Sequence, residues 1–204
     1  MKPRMNGTGL FTFLILVSLS VSTSSAKEKV RVATFDPPQL VHGLLCSSAR
    51  YTETGVLYRA DLAQADTLLG WIIPSGSMVH YQEDGITPRF CFLSENTLLD
   101  SLSCRGSGHN WMTCFHLNGK LRLAWLAEDT VIEGVPVRKA TFWRAVWQEA
   151  ATRFHDNGRL KQAWLKEDFN IQGRHFYKGQ QLLLDEEGKV ISEEKPLGWL
   201  ARWF

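Results

Sequence analysis

Most residue patterns that announce a chemistry are missing from this chain. Its 204 residues hold four cysteines, with no Cys-x2-Cys pair and no histidine partner pattern, so the sequence offers neither a metal site nor a cofactor site. Ser75 and Ser77 flank Gly76, but no nucleophile elbow surrounds them. The pairs Glu186-Glu187 and Glu193-Glu194 sit in turn-like or solvated stretches. No catalytic constellation forms, and the expectation is a protein that is not an enzyme. Charge of one sign is scarce too: 23 Lys and Arg face 21 Asp and Glu. Nothing in that balance resembles the basic stripe that nucleic-acid binding requires.

A long hydrophobic run is likewise absent. Lys2 and Arg4 precede an apolar stretch from Leu10 to Val21, followed by small residues ending at Ser24-Ser25-Ala26. A stretch of that length is well short of the roughly 20 residues a spanning helix needs. It matches a secretory signal peptide over residues 1–26, cleaved after Ala26. The chain is therefore expected in the periplasm or secreted, with no transmembrane span in its mature part. Since Lys2 and Arg4 lie in the leader and no acid does, the mature chain carries equal numbers of acids and bases.

What the chain does have is repetition. Phe154-His155-Asp156-Asn157-Gly158-Arg159-Leu160 returns as Phe115-His116-Leu117-Asn118-Gly119-Lys120-Leu121 and, more loosely, at Tyr51, Tyr81 and Leu184. Each start leads into an ordered series such as Ala124, Leu126, Asp129, Ile132 and Gly134, or Ala163, Leu165, Asp168, Ile171 and Gly173. A unit of about 30 residues thus repeats, with insertions around Arg105–Thr113 and Arg144–Thr152. The organisation expected is a leader (1–26), an N-terminal cap segment (27–50), a repeat domain (51–191, with starts near 51, 81, 115, 154 and 184) and a C-terminal amphipathic cap (192–204).

The physics of the unit predicts an all-β fold. Asn-Gly between apolar residues is a strong hairpin signal, because glycine accepts positive φ without a Cβ clash. A three-residue loop with Gly158 in the left-handed region would pair Phe154 with Leu160 and place both on one face. The apolar positions then switch parity between Leu160 and Ala163, and between Leu121 and Ala124, which predicts a bulge in that strand. Asp129 and Asp168 are turn residues, and Gly134 and Gly173 mark the next corner, giving about three short strands per unit. Tandem hairpins in a twisted antiparallel meander are favoured by the tight reversals; a β-solenoid is the alternative.

At the N-terminus, Val30, Val32 and Phe35 suit an edge strand stopped by Asp36-Pro37-Pro38. The insertion Arg144–Ala151 suits either a helical turn or an extended hairpin. Trp199, Leu200, Trp203 and Phe204 have helical spacing and predict a short C-terminal helical cap. Four cysteines in an exported chain point to two disulfides, with Cys104–Cys114 and Cys46–Cys91 the favoured pairing.

Candidate binding residues come from the repeat. Trp125 and Trp164 share one offset, beside Leu126 and Leu165, and adjacent strand residues face opposite ways. The Trp residues form either a solvent-facing stripe for sugar rings or a protein partner, or part of the core. His116 and His155 share another offset, as a binding stripe or simply the polar side of a strand. Trp199 and Trp203 are a second aromatic candidate.

The motif Phe-His-x-Asn-Gly-Lys/Arg-Leu, followed by Leu-x-x-Asp-x-x-Ile-x-Gly, resembles the MORN-variant, antitoxin-like repeats, in a longer form found in exported bacterial proteins. The likeness covers roughly Tyr51 to Val190. It implies a repeat scaffold for interactions and no particular activity; Ala60, Ala124 and Ala163 stand where that longer form often has Cys.

The function expected is an exported non-enzymatic repeat scaffold for protein–protein or envelope interactions. Two alternatives stand beside it: a glycan or cell-wall binding module using the Trp stripe, and a hydrolase at the insertions, gathering His109, His116 or His155. The partner is an unidentified protein or envelope glycan, not a nucleic acid, and an open sheet edge would also allow a homodimer.

Overall fold

The computed structural model describes residues 30–107, 111–143 and 150–194. An opening strand, β1 (Arg31–Val41), precedes the repeats. Unit one contains β2 (Leu44–Tyr51), β3 (Leu57–Leu62), β4 (Asp66–Leu68) and β5 (Trp71–Ile73). Unit two contains β6 (Met78–Tyr81), β7 (Pro88–Phe92), β8 (Thr97–Leu99) and β9 (Leu102–Cys104). Unit three contains β10 (Met112–Phe115), β11 (Leu121–Ala124), β12 (Thr130–Ile132) and β13 (Val135–Val137). Unit four contains β14 (Thr152–Phe154), β15 (Leu160–Trp164), β16 (Phe169–Ile171) and β17 (Arg174–Phe176), and β18 (Gln181–Leu184) with β19 (Val190–Glu194) closes the series.

The first two strands of every unit join one open antiparallel sheet of eleven strands, in the order β1-β2-β3-β6-β7-β10-β11-β14-β15-β18-β19. The last two form a separate small hairpin, so a unit supplies four strands rather than three. Gly134 and Gly173 are the tips of these small hairpins. Both central residues of each tip have positive φ, as at Glu133-Gly134 and Gln172-Gly173, which defines a type I′ turn. The order is a meander and not a solenoid.

The sheet turns follow the expected register. Phe154 pairs with Leu160, Phe115 with Leu121, Tyr51 with Leu57 and Leu184 with Val190. His155 N donates to Arg159 O and Gly158 N to His155 O, leaving a three-residue loop whose glycine has φ +89°. Unit two has one more loop residue and pairs Tyr81 with Pro88. Just past each anchor the register slips by one, at Tyr58, Arg89, Arg122, Lys161 and Ile191. One bulge recurs at the same place in all five hairpins, and it accounts for the parity switch.

The small hairpins cover one face of the sheet. Under them runs a row of mostly small side chains, paired as Ala49–Ala60–Val79–Cys91–Thr113, Ala124–Thr152 and Ala163–Leu182. These residues are buried, and the apolar ones other than Thr113 and Thr152 share one core cluster with Leu68, Ile73, Leu99, Ile132, Val137 and Phe176 of the hairpins. Small residues fit there because the hairpin side chains fill the gap of about 10 Å between stacked β-layers.

Three expectations need correction. Strand β1 does not stop at Pro37-Pro38; it resumes after a register shift between Thr34 and Gln39. Proline is tolerated because β1 is an edge strand with one side free of ladder bonds. Residues 192–194 belong to β19 rather than to a helical cap. Finally, the four cysteines are buried free thiols, and neither disulfide forms. Cys46 in β2 and Cys91 in β7 are three strand spacings apart, about 14 Å, beyond the reach of a disulfide. Cys104 lies in the hairpin layer, while Cys114 follows Thr113 and so points away from that layer. The signal segment 1–26, the remainder of the C-terminal cap with Trp199 and Trp203, His109, and residues 144–149 lie outside the described residues.

Candidate functional site

The residues of the repeat signature hold neighbouring units together. His116 Nε2 is 3.1 Å from Phe154 O, and His155 Nε2 is 2.9 Å from Leu184 O. Asn118 Nδ2 donates to Asp156 O at 2.7 Å, and Lys120 Nζ to Asn157 O at 2.6 Å. Asn157 and Arg159 repeat the pattern one unit later, both reaching Glu186 O. A ladder of turn-to-turn hydrogen bonds therefore explains why these residue types recur at this spacing. It also answers the question about the paired histidines, whose Nε2 atoms are engaged by backbone carbonyls.

The sheet face opposite the hairpins has a different character. Because strand neighbours alternate, the residues beside the small core row all point there. One register row begins Arg50–Arg59–His80–Phe90 and continues as Cys114–Leu123–Arg153–Gln162. A second runs Ser48–Asp61–Met78–Phe92–Met112. Buried members of this face, such as Met78, Cys114 and Trp164, fall outside the hairpin-side core cluster. No small hairpin among the described residues covers this side.

An aromatic group centres on His80. Its ring stacks on Phe90 at 4.5 Å and 18°, and meets Phe92 and Tyr58 edge-on at 5.7 and 5.8 Å. Burial, reinforced by the charges of Arg59, Arg50 and Arg89 and opposed by Asp61, lowers the His80 pKa to about 4. The ring is therefore neutral at pH 7. Asp61 accepts from Arg59 at 2.7 Å and from the Ser48 hydroxyl.

The predicted Trp pair lies on this same face. Trp164 is 7% exposed and Trp125 is half-buried, so neither is the solvent-facing stripe weighed from the sequence. Trp111 meets Trp125 edge-on at 5.5 Å, and the Arg105 guanidinium lies 4.7 Å from the Trp111 ring centroid. The backbone beside the Trp pair bridges units as well: Arg105 N donates to Trp125 O, and Arg138 N to Trp164 O. The Trp offset in the other units holds Asp61 and Phe92, which would have extended the stripe into the aromatic group.

Sequence reasoning missed the arginines and His80. Their signal was present in the residues flanking Ala49, Ala60, Val79 and Thr152, yet it becomes legible only once those are known to share one row. Among the described residues no group of three or more His, Cys, Asp or Glu is placed to hold a metal ion, and no helix is long and apolar enough to cross a membrane. Compared with protein-family models, with curated proteins and with solved structures, the chain matches none of them.

Proposed function

We propose that this protein is a non-enzymatic repeat scaffold, working outside the cytoplasm, that binds another protein through the sheet face opposite its hairpins. The observation that carries this reading is the composition of that face. Arg, Phe, Met, Trp and Tyr cluster there, and these are the residue types enriched at the centres of protein interfaces. The resemblance of the Phe-His-x-Asn-Gly-Lys/Arg-Leu units to interaction repeats supports the same reading. Sugar binding is less well supported, because stacking on a sugar needs an open ring face. Trp164 is buried, and Trp111 already has Arg105 over its ring.

The test is site-specific photocrosslinking in cells that make the whole chain. A photoreactive phenylalanine replaces Phe92 or Leu123 on the proposed face, and Ile72 or Leu98 on the outer side of the hairpins, where both are exposed. The expected result is one adduct with the same identified protein from Phe92 and Leu123, and none from the hairpin positions. Adducts from the hairpins alone would move the binding surface to the other layer and end this reading.

A further inference from the structure

Near-neutral overall charge conceals a segregation by face. Arg50 and Arg59 lie directly opposite on adjacent strands, an arrangement of like charges that destabilises a sheet. Asp61 answers Arg59. Arg50 Nε is buried with no hydrogen-bond partner among the described residues. The recurrent bulge then places one further side chain beside the row in every unit, and in β7 and β11 that residue is arginine. Arg89 and Arg122 are both exposed. Arg89 lies 5.9 Å from the Phe90 ring centroid, and Arg153 pairs across to Leu123.

Five arginines therefore gather around His80 and Cys114. Arg122 reaches the Cys114 thiol, with Arg89 and Arg153 also close to it. From β2 to β15, Asp61 is the single carboxylate at the described positions of these two rows and their bulges. The acids lie elsewhere, in the turns at Asp84, Asp156 and Asp185–Glu187 and in the hairpin layer at Asp129, Glu133 and Asp168. A face that keeps like charges opposed and a guanidinium nitrogen unpaired is incomplete by itself. Arginine, with its planar fork, is the side chain best matched to carboxylates beside apolar surface.

We propose that the partner protein docks an acidic segment on this face, its Asp or Glu carboxylates taken by Arg89, Arg122 and Arg50. This inference rests on the scaffold reading and names the chemistry of its partner. Arg89 and Arg122 stand two strands apart, about 10 Å, which is the span of about three residues of extended chain. An extended segment crossing the strands turns alternate residues to the face, so acids four positions apart, about 13 Å, lie on one side, and the long guanidinium arms reach both. An apolar side chain between them would face Cys114 of β10, beside Phe90 and Leu123.

The test titrates a fluorescein-labelled poly-glutamate peptide into the purified chain and reads anisotropy, with polygalacturonate as a competing carboxylate polymer. Saturable binding that weakens as salt rises from about 50 to 500 mM is expected. Arg89→Glu/Arg122→Glu should lose about tenfold or more in affinity. Arg89→Lys/Arg122→Lys should lose less, about threefold, since lysine keeps the charge without the fork. Both side chains are exposed, so the variants should fold; a melting curve checks this, and Arg89→Gln/Arg122→Gln replaces any variant that does not. Absence of saturable binding, unchanged affinity in the reversed variant, or tighter binding of polygalacturonate than of the peptide would each overturn the inference. A Phe92 adduct that persists in the charge-reversed chain would overturn it too while leaving the scaffold reading standing. Adducts from the hairpins alone would remove the scaffold reading itself.

Discussion

His80 illustrates how a side chain can be tuned without catalysing anything. Buried against Phe90, with Arg59, Arg50 and Arg89 nearby and Asp61 opposing them, it has a folded pKa of about 4 against an ordinary 6.5. Between those values the unfolded chain binds a proton that the folded chain does not, so stability rises with pH across that window. Folding free energy should therefore be fully present above about pH 6.5 and fall as the pH drops toward 4. The loss should be on the order of 1–2 kcal/mol once solvent screening is allowed for. Urea titrations at several pH values measure it, and His80→Phe should flatten the slope; an equal slope in that variant would assign it elsewhere. The cysteines make a second case. Burial pushes the Cys46 thiol up to about 11 and Cys104 up to about 12, and it raises Cys91 and Cys114 as well. In unreduced protein, a thiol reagent should label almost none of the four when native and all four in denaturant, counted by mass spectrometry. Two labels in denaturant would restore one disulfide.

Single elements are decided by their turns. Gly134 has φ +82° at the tip of β12–β13, and a Cβ added there would have nothing within 4 Å, so alanine meets only backbone strain. Gly134→Ala should cost about 1–2 kcal/mol, read from the denaturation midpoint. Gly106 differs, since a Cβ would sit 2.0 Å from Glu95 O. Gly106→Ala should lose more than about 3 kcal/mol or fail to fold, because backbone must move to admit the methyl group. A smaller loss at Gly106 than at Gly134 would contradict the close approach. The sheet turns were legible in Asn-Gly and the apolar anchors, and the bulge was legible in the parity switch. The small hairpins were harder to read, because strands of three residues carry too few positions to show an alternation. Strand β1 was read as an edge strand, which it is, but its end was misplaced, because the prolines interrupt the ladder at a register shift between Thr34 and Gln39 and the strand then resumes.

For the whole molecule, the relevant physics is that of a chain of neighbours. Units three and four hydrogen-bond the next through turn and hairpin, as Glu133 does with Leu160 N and Gln172 with Gly188 O, and the hairpin of unit one reaches the turn of unit three through Trp71 Nε1 to Gly119 O. Stability is then close to a sum of units and interfaces. Deleting residues 115–153 joins Cys114 to Phe154 at equivalent positions of two units. The shortened chain should remain a folded β-sheet protein, melting about 5–10 °C lower by circular dichroism. Deleting 115–134 joins non-equivalent positions and should prevent cooperative folding. If both deletions behaved alike, the neighbour model would fail. The sequence alone determined the repeat, the all-β class, the turn register and the bulges, since each depends on residues within a few positions of one another. Which side of the sheet the hairpins cover, how far apart the four thiols lie, and the gathering of Arg50, Arg59, Arg89, Arg122 and Arg153 were decided by tertiary structure. Those relations join residues tens of positions apart, and they exist only once the units have stacked.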